Sequence, residues 1–150
     1  MKNYDPNTAA KVWDRVRSTA VPPGDSQLIL NLITEELQDS RTYQHLAKRL
    51  PPPYAAIIRQ LSQQSQSQAA CLKGIYTMIT GRGAIVPPPS VTDDSADIVL
   101  RRCYGRTMRA LTQYESRQED PQYGHIFRNL ARQEQEHCHR ILEILGALAK

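Results

Sequence analysis

Glu134 and His137 stand three residues apart, a spacing that places a carboxylate and an imidazole on one face of a helix. Their stripe continues through Phe127, Leu130, Ile141, Ile144 and Leu148, so the pair points into a core. Glu36 holds a similar place in the stripe Leu28, Leu32, Glu36, Asp39, Tyr43, Leu46, Leu50. Two further stripes run Leu61, Ser65, Gln68, Leu72, Ile75, Ile79 and Leu100, Tyr104, Thr107, Leu111, Tyr114. Each is apolar at its ends and polar near its middle, which predicts that packed helices bring the polar residues into one central layer. An unpaired carboxylate in such a layer costs on the order of several kcal/mol, so Glu36 and Glu134 need partners. Two chemistries would supply them. Oxygen-rich sites with an imidazole and open positions suit iron or manganese that meets oxygen or peroxide. A closed network without metal is the other, with Glu134 pairing with His137 or accepting hydrogen bonds from Tyr43, Tyr114, Gln68 and Thr107. Spacing alone leaves both open.

The elements that must position this layer are set off by prolines and glycines. Long helices are expected from about Ser26 to Leu50, Tyr54 to Thr80, Ser95 to Arg117 and Pro121 to Leu148. Pro51-Pro52-Pro53 separates the first two, and the turn at Glu119-Asp120-Pro121 separates the last two, with Pro121 suited to a first helical turn. The stretch from Gly81 to Thr92 is the longest connection, and Asp93 or Asp94 is the expected cap of the helix after it. Residues 1–24 form a separate unit, a short amphipathic helix from about Thr8 to Arg17 that ends at Val21-Pro22-Pro23-Gly24. Its Val12, Trp13 and Val16 share a face expected to cap the bundle of residues 25–150. Two helical hairpins joined by one longer crossover make an all-α, four-helix bundle.

Composition agrees with that class. The 150 residues are 40% hydrophobic with one Trp and one Phe, which suits aliphatic helix packing better than a sheet. Met1 to Arg17 is interrupted by Asp5, Pro6, Lys11 and Asp14, which excludes a secretory leader there, and no segment has the length and apolarity to span a bilayer. A cytoplasmic protein with no membrane partner is expected. Cys71, Cys103 and Cys138 are odd in number and lack any C-x-x-C pair, so they read as reduced thiols rather than disulfides, a zinc ribbon or a rubredoxin-type iron site. A net charge of +4 is modest, although Arg101, Arg102, Arg106 and Arg109 crowd into one stretch. They read as a solvated helix face.

The chain also repeats itself. Tyr43 follows Glu36 by seven residues as Tyr114 follows Thr107, an offset of 71 between the halves (107 minus 36). Leu61, Gln64, Ser65 and Gln68 align with Leu130, Gln133, Glu134 and His137 at an offset of 69 (130 minus 61). The motifs are Glu36 with Tyr43, the run from Ala69 to Gly81, Tyr114-Glu115, the turn Asp120-Pro121-Gln122-Tyr123-Gly124, and the run from Leu130 to Cys138. With them the sequence resembles the rubrerythrin-like branch of the ferritin-like superfamily from Ser26 to Leu148. Di-iron members of that superfamily place Glu, Glu-x-x-His, Glu and Glu-x-x-His on successive helices. The corresponding slots here read Glu36, Ser65-x-x-Gln68, Thr107 and Glu134-x-x-His137. The resemblance therefore implies a degenerate site. Glu36, Glu134 and His137 are the surviving ligand positions, Ser65, Gln68 and Thr107 the degenerate ones, and Tyr43 and Tyr114 the outer support.

Two carboxylates cannot neutralise two divalent ions, so the resemblance implies at most one iron or manganese ion rather than a full di-iron centre. The function expected first is a bundle that is non-catalytic or only weakly metal-binding. The alternative is an iron- or manganese-dependent oxidoreductase handling oxygen or peroxide on a mononuclear site. No rubredoxin-like domain is expected after the bundle, and such an enzyme would then be expected to take electrons from a separate protein. A third class, a DNA-associated stress protein, is disfavoured, because a sequence pI of about 9.1 gives only non-specific, salt-sensitive contact with phosphate. Substrate, redox partner and oligomeric state are left open, homo-oligomers included.

Overall fold

Three consecutive prolines decide where the first hairpin turns. The residue before a proline is steered away from the helical region, and α1 (Ser26–Ala47) ends three residues earlier than its stripe suggests. Lys48 and Arg49 close a last turn by donating to His45 O and Leu46 O. The prolines then open the next helix, since a first helical turn needs none of the N–H groups they lack. In α2 (Pro52–Thr80) the first donors are Tyr54 and Ala55, both bonding to Pro51 O, at 3.0 and 2.9 Å. Gly81 stops α2 in the left-handed region (φ 73°), where its N–H reaches Thr77 O at 2.8 Å. The computed structural model describes residues 25–150, and the expected helix from Thr8 to Arg17 lies outside them.

The crossover, residues 82–95, travels the length of the bundle beside α1. Ala84 and Val86 pack near the start of α1, Gln38 grips Ser90 midway, and His45 and Arg49 meet Asp93 and Asp94 at its far end. Gln38 does this as a strand would, donating Nε2 to Ser90 O at 2.6 Å and accepting from Ser90 N at 3.1 Å. α3 (Ala96–Glu115) therefore starts at the end where α1 finishes, and α4 (Gly124–Leu148) returns beside it. The directions are up, down, down, up. α1 packs most extensively on α2, and α3 on α4. Among the described residues there is no strand, and no helix is long and apolar enough to cross a membrane.

Two expected helix starts are corrected. Asp93 and Asp94 do not cap α3, whose first turn follows Ser95 without a side-chain cap. They are drawn away by side-chain partners, a hydrogen bond with His45 for Asp93 and an ion pair with Arg102 for Asp94. Pro121 lies in a turn ahead of α4, where the Asp120 carboxylate accepts from Gln122 N and Tyr123 N at 2.9 and 2.7 Å. Gly124 is required there because a Cβ would collide with the Gln118 carbonyl oxygen.

Candidate functional site

The core is two apolar clusters with a polar layer between them. One contains Ile29, Leu32, Ile33, Leu72, Ile75, Leu111 and Phe127, the other Leu46, Ile58, Leu61, Leu100, Ile141 and Ile144. Between them Glu36 is 2% exposed, and Ser65, Gln68, Thr107, Glu134 and His137 are each 1% exposed. All six sequence-selected positions thus face the interior from four different helices. Tyr43 and Tyr114, also fully buried, belong to the clusters on either side.

The carboxyl groups are held by protein donors. Tyr114 Oη donates to Glu36 Oε1 at 2.9 Å, and Gln68 Nε2 donates to Glu134 Oε1 at 2.8 Å. Glu36 and Glu134 are neighbouring carboxyl groups in this layer, and among the described residues no cation stands between them. Two buried carboxyl groups side by side favour holding a proton on one of them. Burial, reinforced by the charges of Glu134 and Asp39, pushes Glu36 well above the ordinary carboxylate range. Burial also raises Glu134, to about 7, against the lowering effect of its bonds from Glu36 and Gln68. The arrangement is a proton-sharing pair with Glu36 as its acid.

His137 takes a different partner from the one expected. Its Nδ1 is 3.8 Å from Glu134 Oε1, too far for a hydrogen bond, while its Nε2 is 2.8 Å from Gln64 Oε1. Because that oxygen only accepts, Nε2 carries the proton and Nδ1 is left as a lone pair facing the layer. Burial lowers the pKa of His137 to about 4, so the ring is neutral. The other polar groups are sparsely bonded. Glu36 Oε2, Tyr43 Oη, Ser65 Oγ, Gln68 Oε1 and Thr107 Oγ1 have no hydrogen-bond partner among the described residues, although Tyr43 lies beside Thr107. The expected bonds from Tyr43 and Thr107 to Glu134 are not formed.

Asp39 and Arg106 are a part of the layer that sequence reading missed. Asp39, 4% exposed, accepts from Arg106 Nε at 2.7 Å, and Arg106 Nη2 donates to Cys103 Sγ at 3.3 Å. Burial still raises Asp39 to about 6 and holds Cys103 as a thiol, with a pKa of about 12. The signal was available: Asp39 sits on the inward stripe of α1, and Arg106 adjoins Thr107, the corresponding layer position of α3. Gln64 could have been found the same way, one residue before Ser65.

These donors do not fit two metal ions. Two carboxyl groups bring one negative charge while they hold a proton and two at most without it, against four positive, and Gln68 directs an N–H at the oxygen a bridging ion would need. Among the described residues no three His, Cys, Asp or Glu side chains converge as a ligand set. No protein-family model, curated protein or solved structure matches the chain.

Proposed function

We propose that this chain is a ferritin-like bundle of the rubrerythrin-like branch whose di-iron centre has become a proton-sharing polar layer, and that it serves as a non-catalytic binding or structural protein. The observation that carries the reading is the Gln68–Glu134 hydrogen bond. At the slot where a di-iron bundle has its first histidine ligand, this chain supplies an amide N–H that satisfies the surviving bridge carboxylate. The up, down, down, up order with one crossover along the bundle supports the ferritin-like assignment. The same reading places the protein in the reducing cytoplasm, where Cys71, Cys103 and Cys138 stay free. Its test is the metal content of protein purified without chelators, which should be far below one ion per chain. Two irons per chain would overturn the reading.

One observation favours a second reading, a single iron or manganese ion on Glu36, Glu134 and His137. Gln64 fixes the tautomer of His137 so that the Nδ1 lone pair faces Glu134, the orientation that an outer partner imposes on a metal-bound histidine. A bound ion there would supply oxygen or peroxide chemistry with electrons from a separate donor. Titration with Co(II) separates the readings. Ligand-field bands saturating at one ion per chain, lost in His137→Ala, would establish the mononuclear site, and a featureless spectrum would remove it.

A further inference from the structure

Arg101, Arg102 and Arg109 of α3 are exposed, as a solvated face requires, and Arg106 is half-buried. Arg102 and Arg106 turn toward the crossover, where with Arg49 in the turn after α1 they line a cavity of about 90 Å³. Arg101 and Arg109 are not among its walls. The cavity lies between α1, the crossover and α3, floored by Leu46 and Val99, with His45, Thr42 and Thr92 completing the polar part of its wall. Among the described residues no carboxylate lines it. The acids stand behind the bases instead: Asp94 beside Arg102, Asp39 beside Arg106 and Asp93 beside His45.

That placement orders the cations without using up their donors. Each guanidinium has five N–H groups. Among the described residues Arg49 uses Nη2 on Asp94 O, Arg102 uses Nη1 on Asp94 Oδ2, and Arg106 uses Nε and Nη2. Donors remain on all three, and Thr42 and Thr92 add hydroxyl groups. The space holds several water molecules and hence a tetrahedral oxyanion. Guanidinium forks from separate elements suit a phosphate, whose oxygens diverge, better than a carboxylate, which one fork would satisfy.

We propose that this cavity binds a phosphate group through Arg49, Arg102 and Arg106, either as inorganic phosphate or as the end of a small phosphomonoester. The site touches the buried layer only through Arg106 and its partner Asp39, and it needs no metal there. A phosphate held between α1, the crossover and α3 ties the crossover down, so binding stabilises the folded chain as well.

The test is calorimetric titration of the full chain with sodium phosphate and, separately, glycerol 3-phosphate at low ionic strength. Saturable one-site binding is expected, with Arg49→Gln and Arg102→Gln each weakening it by about tenfold. Arg101→Gln and Arg109→Gln remove the same charge from the same stretch outside the cavity and should leave affinity within about twofold. Arg49 is exposed and gives up only a bond to a backbone oxygen, so its variant should remain folded, as a thermal melt will verify. Tighter binding of glycerol 3-phosphate supports a phosphorylated metabolite as the natural ligand, and equal or tighter binding of inorganic phosphate supports the free ion. No saturable binding of either probe, or equal weakening by Arg101→Gln and Arg49→Gln, overturns the proposal.

Discussion

Asp39 and Glu134 lie in the same buried layer, yet their negative charge is answered in different ways. Asp39 is given a cation, Arg106, whose guanidinium reaches in from a half-buried position. Glu134 is given none: its partners are an amide, a neutral imidazole out of hydrogen-bond range, and a second carboxyl group that burial and neighbouring charge favour in its protonated form. A charge near the rim of a bundle can be paired by a long side chain that keeps contact with water. At the centre of four helices no such side chain is in place, and the remaining means are a metal ion or a proton. With Ser65, Gln68 and Thr107 as the neutral neighbours of this pair, burial favours the proton.

Breaking the cation-paired side gives the largest expected effect. Arg106→Leu leaves Asp39 buried and alone and should cost about 3 kcal/mol at pH 8 in urea unfolding. The loss should shrink toward pH 5, because Asp39 then takes a proton. An equal loss at both pH values would mean that Arg106 acts through packing instead of charge.

The proton-paired side sharpens the comparison through pH. Glu134 titrates at about 7 in the folded chain against an ordinary 4.5, so the folded state binds the extra proton. Its stabilising contribution is fully present below about pH 4.5 and is lost as pH rises through 7. In the isosteric Glu134→Gln variant this loss is absent, so from pH 4.5 to 8 the variant should gain on the parent by on the order of 2 kcal/mol. His137 slopes the other way, since its lowered pKa of about 4 gives stability that is present above pH 6.5 and lost as pH falls. Comparing variant with parent cancels that contribution. A flat difference across the range would show that Glu134 is ionised throughout.

The two tyrosines give the smallest and cleanest contrast. Tyr114→Phe removes the donor to Glu36 and should cost about 1 kcal/mol in equilibrium unfolding, whereas Tyr43→Phe removes a hydroxyl with no partner among the described residues and should be near neutral. Similar losses at both positions would mean that Tyr43 bonds into the layer after all.

The helical stripes were legible because burial along a bundle follows a fixed period. Glu36, Gln68, Thr107 and Glu134 could be selected from spacing, and all are buried at the middle of their helices. The contacts were less legible than the positions. Gln64 and Arg106 reach the layer from beside the stripe, on side chains long enough to leave their own face, and period alone gives them no role. The caps failed for a related reason: Asp93 and Asp94 are good helix starters locally, but His45, far off in sequence, and Arg102, two turns into the helix, engage their carboxylates instead. The proton between Glu36 and Glu134 has no sequence signal of its own. It follows from burial and from the absence of a nearby cation, both properties of the packed bundle.

The claim that this layer has replaced a di-iron centre is tested most directly by anaerobic ferrous iron binding, followed by thermal melting, of the parent and of the triple variant Ser65→Glu, Gln68→His, Thr107→Glu. On the proposed assignment the variant supplies the charged ligands of a di-iron site. It should melt below the parent without metal, take up two irons per chain and regain stability as iron is added. The parent should take up fewer than two and melt almost unchanged. A parent that binds two irons per chain would contradict the loss of the centre, and a triple variant that binds none would contradict the assignment of Ser65, Gln68 and Thr107 to its ligand slots.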